Sequence, residues 1–237
     1  MNQSPSKRTA LITGANRGIG LETARQLAER GYQVIIAARD ATSAGKAVTA
    51  IQASGGDAEF LPLDVSQSAS IVAASQALGE ITDRLDVLVN NAGIYPDEGW
   101  NLLTLPREQL AATFATNAFG PLELTQALLP YLRRAKGARV INLSSSYGQL
   151  SGLSPEVPSY CLSKFALNGL TIMLADALRD EGIVVNALCP GWVRTDMGGS
   201  NATLSVAEGA DTVVWLADEA DAGLSGKLFR SRQEIRW

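Results

Sequence analysis

Short, unbroken apolar runs alternate with longer amphipathic stretches along almost the whole chain, and few folds accept that pattern. The runs fall at 9–13, 33–38, 58–63, 86–89, 138–143, 184–188 and 227–229. They are rich in valine, isoleucine, leucine and alanine. A strand buried on both faces reads this way, whereas a half-solvated strand alternates apolar with polar residues. Between them, 18–30, 41–54, 66–84, 106–132 (one helix or two), 158–181 and 205–217 read as helices. Gly182 stands at a C-terminal cap position, and Ser205 with Glu208 has the spacing of a capping box. Alternating strands and helices predict a parallel sheet covered on both faces, in one doubly wound α/β domain over residues 1–237. The turn-rich 152–158 stretch lies between a strand and its helix, so it reads as a loop rather than a boundary. In such a sheet a ligand sits outside the carboxyl ends of the strands.

Composition narrows the chemistry. With 46% apolar and 19% charged residues the chain can build a sizeable core. A net charge of -4, from 20 basic and 24 acidic residues, disfavours a nucleic-acid partner. There is no histidine, which excludes a Ser-His-Asp mechanism and any histidine-ligated metal. Cys161 and Cys189 are too few for a disulfide scaffold or a four-cysteine zinc site, and both read as reduced thiols. No metal is expected. No run approaches the ~18 apolar residues of a membrane span, and residues 1–8 are polar, without the apolar stretch of a signal peptide. The expectation is a cytoplasmic protein without a membrane partner.

The first run leads into Thr13-Gly14-Ala15-Asn16-Arg17-Gly18-Ile19-Gly20, and a helix follows. Glycines at such a turn let the backbone approach a pyrophosphate, and the helix start offers free N–H groups and a positive dipole end. No Gly-Lys-Ser/Thr follows, so this is not a Walker A loop. The second run ends Ala38-Arg39-Asp40. A carboxylate there binds ribose hydroxyls, and an arginine holds a 2′-phosphate. Arg39 and Arg17 together predict NADP(H). Asp40 leaves two alternatives open: a ribose ligand, or a cap for the next helix.

Three further stretches lie at strand ends: Asn90-Asn91-Ala92-Gly93, Ser144-Ser145-Ser146, and Tyr160-Cys161-Leu162-Ser163-Lys164. Tyr160 and Lys164 are four apart and share a helix face. An ammonium near a phenol favours phenolate, so Lys164 is expected to lower the Tyr160 pKa toward neutrality. A serine hydroxyl nearby can hold a carbonyl oxygen as negative charge develops on it.

These motifs, in this order, resemble the short-chain dehydrogenase/reductase family over roughly residues 8–229. The resemblance rests on Thr-Gly-x-x-x-Gly-x-Gly at 13–20, Asn-Asn-Ala-Gly at 90–93, Asn117, the serines after the fifth strand, Tyr-x-x-x-Lys at 160–164 and Pro-Gly-x-x-x-Thr at 190–195. It implies a Rossmann fold with seven parallel strands in the order 3-2-1-4-5-6-7. Tyr160 would be the acid/base, Lys164 would bind the nicotinamide ribose and tune Tyr160, and Ser145 would orient the substrate oxygen. Asn117 would hold a proton-relay water through a local helix distortion. Cofactor contacts are implied at Gly14, Asn16, Arg17, Gly18, Ile19, Gly20, Arg39, Asp64, Val65, Asn91, Ala92, Gly93, Tyr160, Lys164, Pro190, Gly191, Val193 and Thr195. The interval from Ser145 to Tyr160 is slightly longer than is usual in the family, so Ser144 and Ser146 stay open beside Ser145.

Within the family the chain is most similar to carbonyl reductases, which implies reduction of a ketone or aldehyde by NADPH. Substrate walls are expected from Ile94, Tyr95, Trp100, Tyr147, Leu150, Leu153, Trp192 and Met197, with Tyr95, Tyr147 and Trp192 foremost beside Ser145. The alternative for these aromatics is that they pack the loops. The chain lacks the insertion that keeps some such members monomeric, so a homo-oligomer, dimer or tetramer, is expected. A non-catalytic NADP(H)-binding sensor on the same fold is the alternative function.

Overall fold

The structure, a computed structural model, describes residues 7–237. The polar start of the chain therefore lies, up to residue 6, outside the described residues. The strands are β1 (Thr9–Thr13), β2 (Gln33–Ala38), β3 (Asp57–Pro62), β4 (Val87–Asn90), β5 (Arg139–Leu143), β6 (Val184–Leu188), β7 (Leu228–Arg230) and β8 (Gln233–Ile235). They form one sheet in the order β3-β2-β1-β4-β5-β6-β7-β8. Strands β1 to β7 are parallel and follow the expected order.

The sheet has eight strands rather than the expected seven, because the chain folds back and β8 pairs antiparallel with β7. The connecting residues, Ser231 and Arg232, both take left-handed φ values of 50° and 61°. A two-residue hairpin requires such angles, and sequence normally signals them with Asn-Gly or Asp-Gly. Here tertiary bonds compensate: Arg232 donates its backbone N–H to the Thr212 hydroxyl at 3.2 Å and its Nε to Asp211 at 2.8 Å.

Side chains of β1 alternate between two cores. Ala10 and Ile12 face a core with Val34, Ile36, Val89, Leu27, Ile51, Val213 and Val214. Leu11 faces the other, with Ile35, Leu88, Val140, Val185, Leu124 and Leu128. The first core is covered by α1 (Gly18–Glu29), α2 (Ala41–Ala53) and α7 (Val206–Asp218). The second is covered by α3 (Ser68–Leu78), α5 (Gly120–Leu132) and α6 (Pro158–Ala177). Each fully buried Leu or Ile contributes about 2 kcal/mol. That is why the central strands carry no polar alternation.

One helix departs from the sequence reading, and one stretch left open as one helix or two is resolved. Helix α3 is shorter than 66–84: at its start the Asp64 carboxylate accepts the Ser66 N–H at 3.0 Å and hydroxyl at 2.7 Å, a turn that delays the helix, and at its end it stops at Leu78 with Gly79 as C-cap. The 106–132 stretch is α4 (Arg107–Phe114), a π-helical turn (Ala115–Phe119) and α5. Pro121, near the start of α5, has no N–H for the Asn117 carbonyl four residues earlier, and a π turn absorbs such a missing rung. At its other end α6 runs into a 3₁₀ turn (Arg179–Glu181). Gly182 follows at φ 69°, the left-handed cap expected of it.

Candidate active site

The turn after β1 is built by two close approaches. Gly18 opens α1 at φ 57°, and a Cβ on Gly20 would stand 2.5 Å from the Asn91 side-chain amide. Asn91 donates that amide to the Thr13 carbonyl at 2.7 Å. The Thr13 hydroxyl in turn accepts the N–H groups of Asn91 at 3.0 Å and Ala92 at 2.9 Å. The glycine turn and the loop after β4 are thus clipped together from both sides. Thr13 was not singled out as a site residue from sequence, although it begins the glycine motif.

A cleft of about 710 Å³ opens at these strand ends. Of the residues expected to hold a cofactor, Gly14, Asn16, Arg17, Gly18, Ile19, Arg39, Asp64, Val65, Asn91, Ala92, Gly93, Tyr160, Lys164, Pro190 and Thr195 line it. Gly20, Gly191 and Val193 do not. Gly20 backs onto Asn91, and Val193 is buried against Gly209. The N-terminus of α1 carries no side-chain cap and no acidic residue in its first turn. Its positive end faces the cleft, so the site fits an anionic pyrophosphate.

At the β2–α2 junction the two candidates separate. Asp40 accepts the Ser43 N–H at 2.7 Å and is the N-cap of α2. Arg39 remains largely exposed, its guanidinium 4.0 Å from Asp64. Arg17 meets Asp196 at 2.6 Å on the opposite lip, where both side chains are exposed.

Tyr160 and Lys164 project from the first turns of α6. Lys164 is buried and donates Nζ to the Leu143 carbonyl at 2.7 Å, 5.6 Å from the centre of the Tyr160 ring. Burial lowers its pKa to about 8. The expected lowering of the Tyr160 pKa is not found. Burial pushes the phenol above its ordinary value, and a hydrogen bond with Ser145 offsets this only in part. The ammonium lies over the ring and is tied to a carbonyl, so desolvation outweighs it.

The three serines take different partners. Ser144 is buried and donates to Asn168 Oδ1 at 2.5 Å. Ser146 donates its N–H to Cys189 Sγ at 3.2 Å. Ser145 is the serine whose hydroxyl acts on the Tyr160 phenol, lowering its pKa against the burial, and its Oγ accepts the Tyr147 N–H at 3.2 Å. Asn117 is fully buried in the π turn. Its amide donates to the Ile94 carbonyl at 2.9 Å and to Ser163 Oγ at 3.0 Å, and its Oδ1 accepts the Ile94 N–H at 2.9 Å. The side chain therefore grips the loop after β4.

A second cavity, of about 880 Å³, adjoins the first and shares Arg17, Gly93, Ile94, Asp196 and Met197 with it. Tyr95 and Trp100 line it. Tyr95 meets the Tyr160 ring edge-on at 4.8 Å between centres, and Tyr147 does so at 6.3 Å. Ser145, Tyr147, Leu150, Leu153 and Trp192 line neither cavity. The Trp192 indole donates instead to the Gly198 carbonyl at 2.8 Å. Sequence reasoning also passed over Asp97, buried beside this cavity, because nothing local marks a buried carboxylate.

The glycine cleft, the clipped β4 loop and the Ser145–Tyr160–Lys164 group can be set beside known proteins. A family model described as short chain dehydrogenase matches residues 8–204. The chain belongs to the short-chain dehydrogenase family. A short-chain dehydrogenase of Penicillium roqueforti, anuI, is 38% identical to it over 239 residues, covering 94% of each chain. Carbonyl reductase (NADPH) 1 of Mus musculus is 34% identical over 262 residues, covering 90% of this chain and 92% of its own. Among solved structures, the NADPH-bound carbonyl reductase from chicken fatty liver superposes with a TM-score of 0.88 at 31% identity, covering 98% of this chain and 99% of that one. The likeness to carbonyl reductases read from the sequence is supported on both counts. The dehydrogenase fold accounts for why the cleft lies at the strand ends, where β1 and β4 diverge.

Proposed function

We propose that this short-chain dehydrogenase is an NADP(H)-dependent carbonyl reductase, interconverting a ketone or aldehyde and its alcohol through Ser145, Tyr160 and Lys164. The observation that carries the reading is the Tyr160 phenol, which lines the cofactor cleft with Lys164 over its ring and feels the Ser145 hydroxyl. NADPH, when bound, supplies the hydride. The chain's own groups handle the oxygen. Burial keeps the Tyr160 phenol protonated at neutral pH, which suits it to donate a proton to a carbonyl oxygen as that oxygen gains negative charge. Ser145 holds the same oxygen. The Lys164 ammonium would favour the phenolate left behind and would hold the cofactor ribose. Asn117, through the π turn, would place a water to return the proton. Arg39, with Arg17, would hold the 2′-phosphate, since Asp40 is committed to α2.

Ile94, Tyr95, Trp100 and Met197 support an apolar or aromatic portion in the substrate, in a cavity also lined by Arg17, Glu98, Asn101, Glu156 and Asp196. The complete Ser-Tyr-Lys group speaks for an enzyme over a sensor. A homo-oligomer is part of the proposal, supported by exposed apolar residues on α6. So is a cytoplasmic location, which the free, buried Cys161 and Cys189 fit.

The test is oxidation of NADPH and of NADH against a panel of aromatic and aliphatic ketones and aldehydes, with Tyr160→Phe alongside. The expected result is NADPH-selective turnover in the wild type. Tyr160→Phe should lose it by 10²-fold or more and still bind NADPH. Undiminished turnover in the variant would remove Tyr160 as the acid.

A further inference from the structure

Helix α6 lacks a cap of its own. The residue at its N-cap position, Val157, has no side-chain acceptor, and Pro158 opens the helix without an N–H. The next two donors, on Ser159 and Tyr160, would be orphaned in a buried place. They are not. The Ser159 N–H reaches Asp97 Oδ1 at 3.1 Å, and the Tyr160 N–H reaches Asp97 Oδ2 at 2.9 Å. Asp97 lies 62 residues upstream of Ser159, in the loop after β4, and is 3% exposed. Among the described residues no cation pairs with it. What offsets its desolvation is the pair of charge-assisted bonds and the positive end of the helix.

The same short segment is held at other points. Asn117 grips both backbone groups of Ile94. Gln109 donates to the Pro96 carbonyl at 2.5 Å. Between these anchors Tyr95 packs its edge against the Tyr160 ring. The loop that forms a wall of the second cavity is thereby bolted, through one carboxylate, to the residue that carries the phenol.

We infer that Asp97 is the N-terminal cap of α6, supplied from the cavity loop, and that through it Asp97 is a positioning residue for Tyr160. This rests on the reading of Tyr160 as the proton donor. With the cap in place, the backbone of Tyr160 and the cavity wall share one rigid reference. Without it, the first turn of α6 frays, and the phenol and the wall drift apart. Most of the cofactor cleft is scaffolded by Thr13, Asn91 and α1, with only Tyr160 and Lys164 coming from α6, so its affinity depends on Asp97 far less than turnover does.

The experiment compares Asp97→Ala and Asp97→Asn with wild type and Tyr160→Phe. Asp97→Ala should lower kcat at least tenfold while the NADPH Kd stays within twofold. Asp97→Asn keeps one acceptor oxygen and should recover part of the loss. Hydrogen exchange, which needs neither a substrate nor full stability, should show the Ser159 and Tyr160 amides exchanging at least tenfold faster in Asp97→Asn, with the middle of α6 unchanged. A merely structural cap would lower the melting temperature and leave kcat untouched, and that result overturns the inference. So does unaltered exchange at Ser159 and Tyr160. If Tyr160→Phe loses turnover while both Asp97 variants keep it, only the inference falls. If Tyr160→Phe keeps turnover, the reading of the site falls, and the inference with it.

Discussion

A lysine ammonium sealed from water with one carbonyl for a partner is in an unusual electrical position. Burial lowers the Lys164 pKa to about 8, because the charged form is the one that loses hydration. The sign follows directly: the ammonium is present below that value and is lost as pH rises through it. If Lys164 holds the cofactor ribose as a cation, NADPH affinity weakens as pH climbs past about 8, and Lys164→Arg, which stays charged, flattens the dependence. Tryptophan fluorescence titration across that range checks both. An affinity that stays level in the wild type would show that the charge of Lys164 plays no part in binding. Tyr160 goes the other way, since burial favours its neutral form. Sequence places both residues on one helix face but says nothing of their desolvation, so the direction expected for Tyr160 was wrong. The choice among Ser144, Ser145 and Ser146 was likewise open until each was seen with its own partner.

Elements were legible where their chemistry is local. Strands β1 to β6 stand within a residue or two of the apolar runs, because burial on both faces leaves an unbroken pattern. The Ser205–Glu208 capping box is present as spaced. The β2–α2 junction shows local chemistry dividing two neighbours. Both line the cleft, but Asp40 is engaged as the cap of α2 while Arg39 is not part of that cap. Arg39→Ala should therefore weaken NADPH far more than NADH. Asp40→Ala should lower the melting temperature by a few degrees and leave the NADPH-to-NADH preference unchanged. Fluorescence titration with both nucleotides, together with thermal unfolding, separates the two. Equal losses for NADPH and NADH in Arg39→Ala would take that residue out of the 2′-phosphate site. The elements that sequence did not predict depend on groups outside themselves. The start of α3 is deferred by Asp64, and the Ser231–Arg232 turn is held by α7.

At the scale of the whole molecule, α6 serves two sides. Its inner face buries Lys164, Leu167, Asn168 and Thr171. Its outer face exposes Leu162, Phe165, Ile172 and Met173, an apolar stripe at helical spacing. Such a stripe on a helix that carries the candidate acid is what supports the proposed homo-oligomer. Phe165→Glu should shift a dimer or tetramer to monomer in analytical ultracentrifugation without loss of NADPH binding. A wild-type chain that sediments as a monomer would end that proposal. Sequence by itself determined the parallel sheet and the glycine turn at its strand ends, which rest on the period of burial and on glycine geometry within a few residues. The order of the first seven strands and the roles proposed for Tyr160 and Lys164 came from motifs shared with the family. Only the tertiary structure decided which serine acts on the phenol, how desolvation moves Lys164 and Tyr160 in opposite directions, and that a carboxylate at residue 97 caps the helix carrying Tyr160. Each of those depends on groups far apart in the chain meeting where water is excluded, and no local pattern encodes such a meeting.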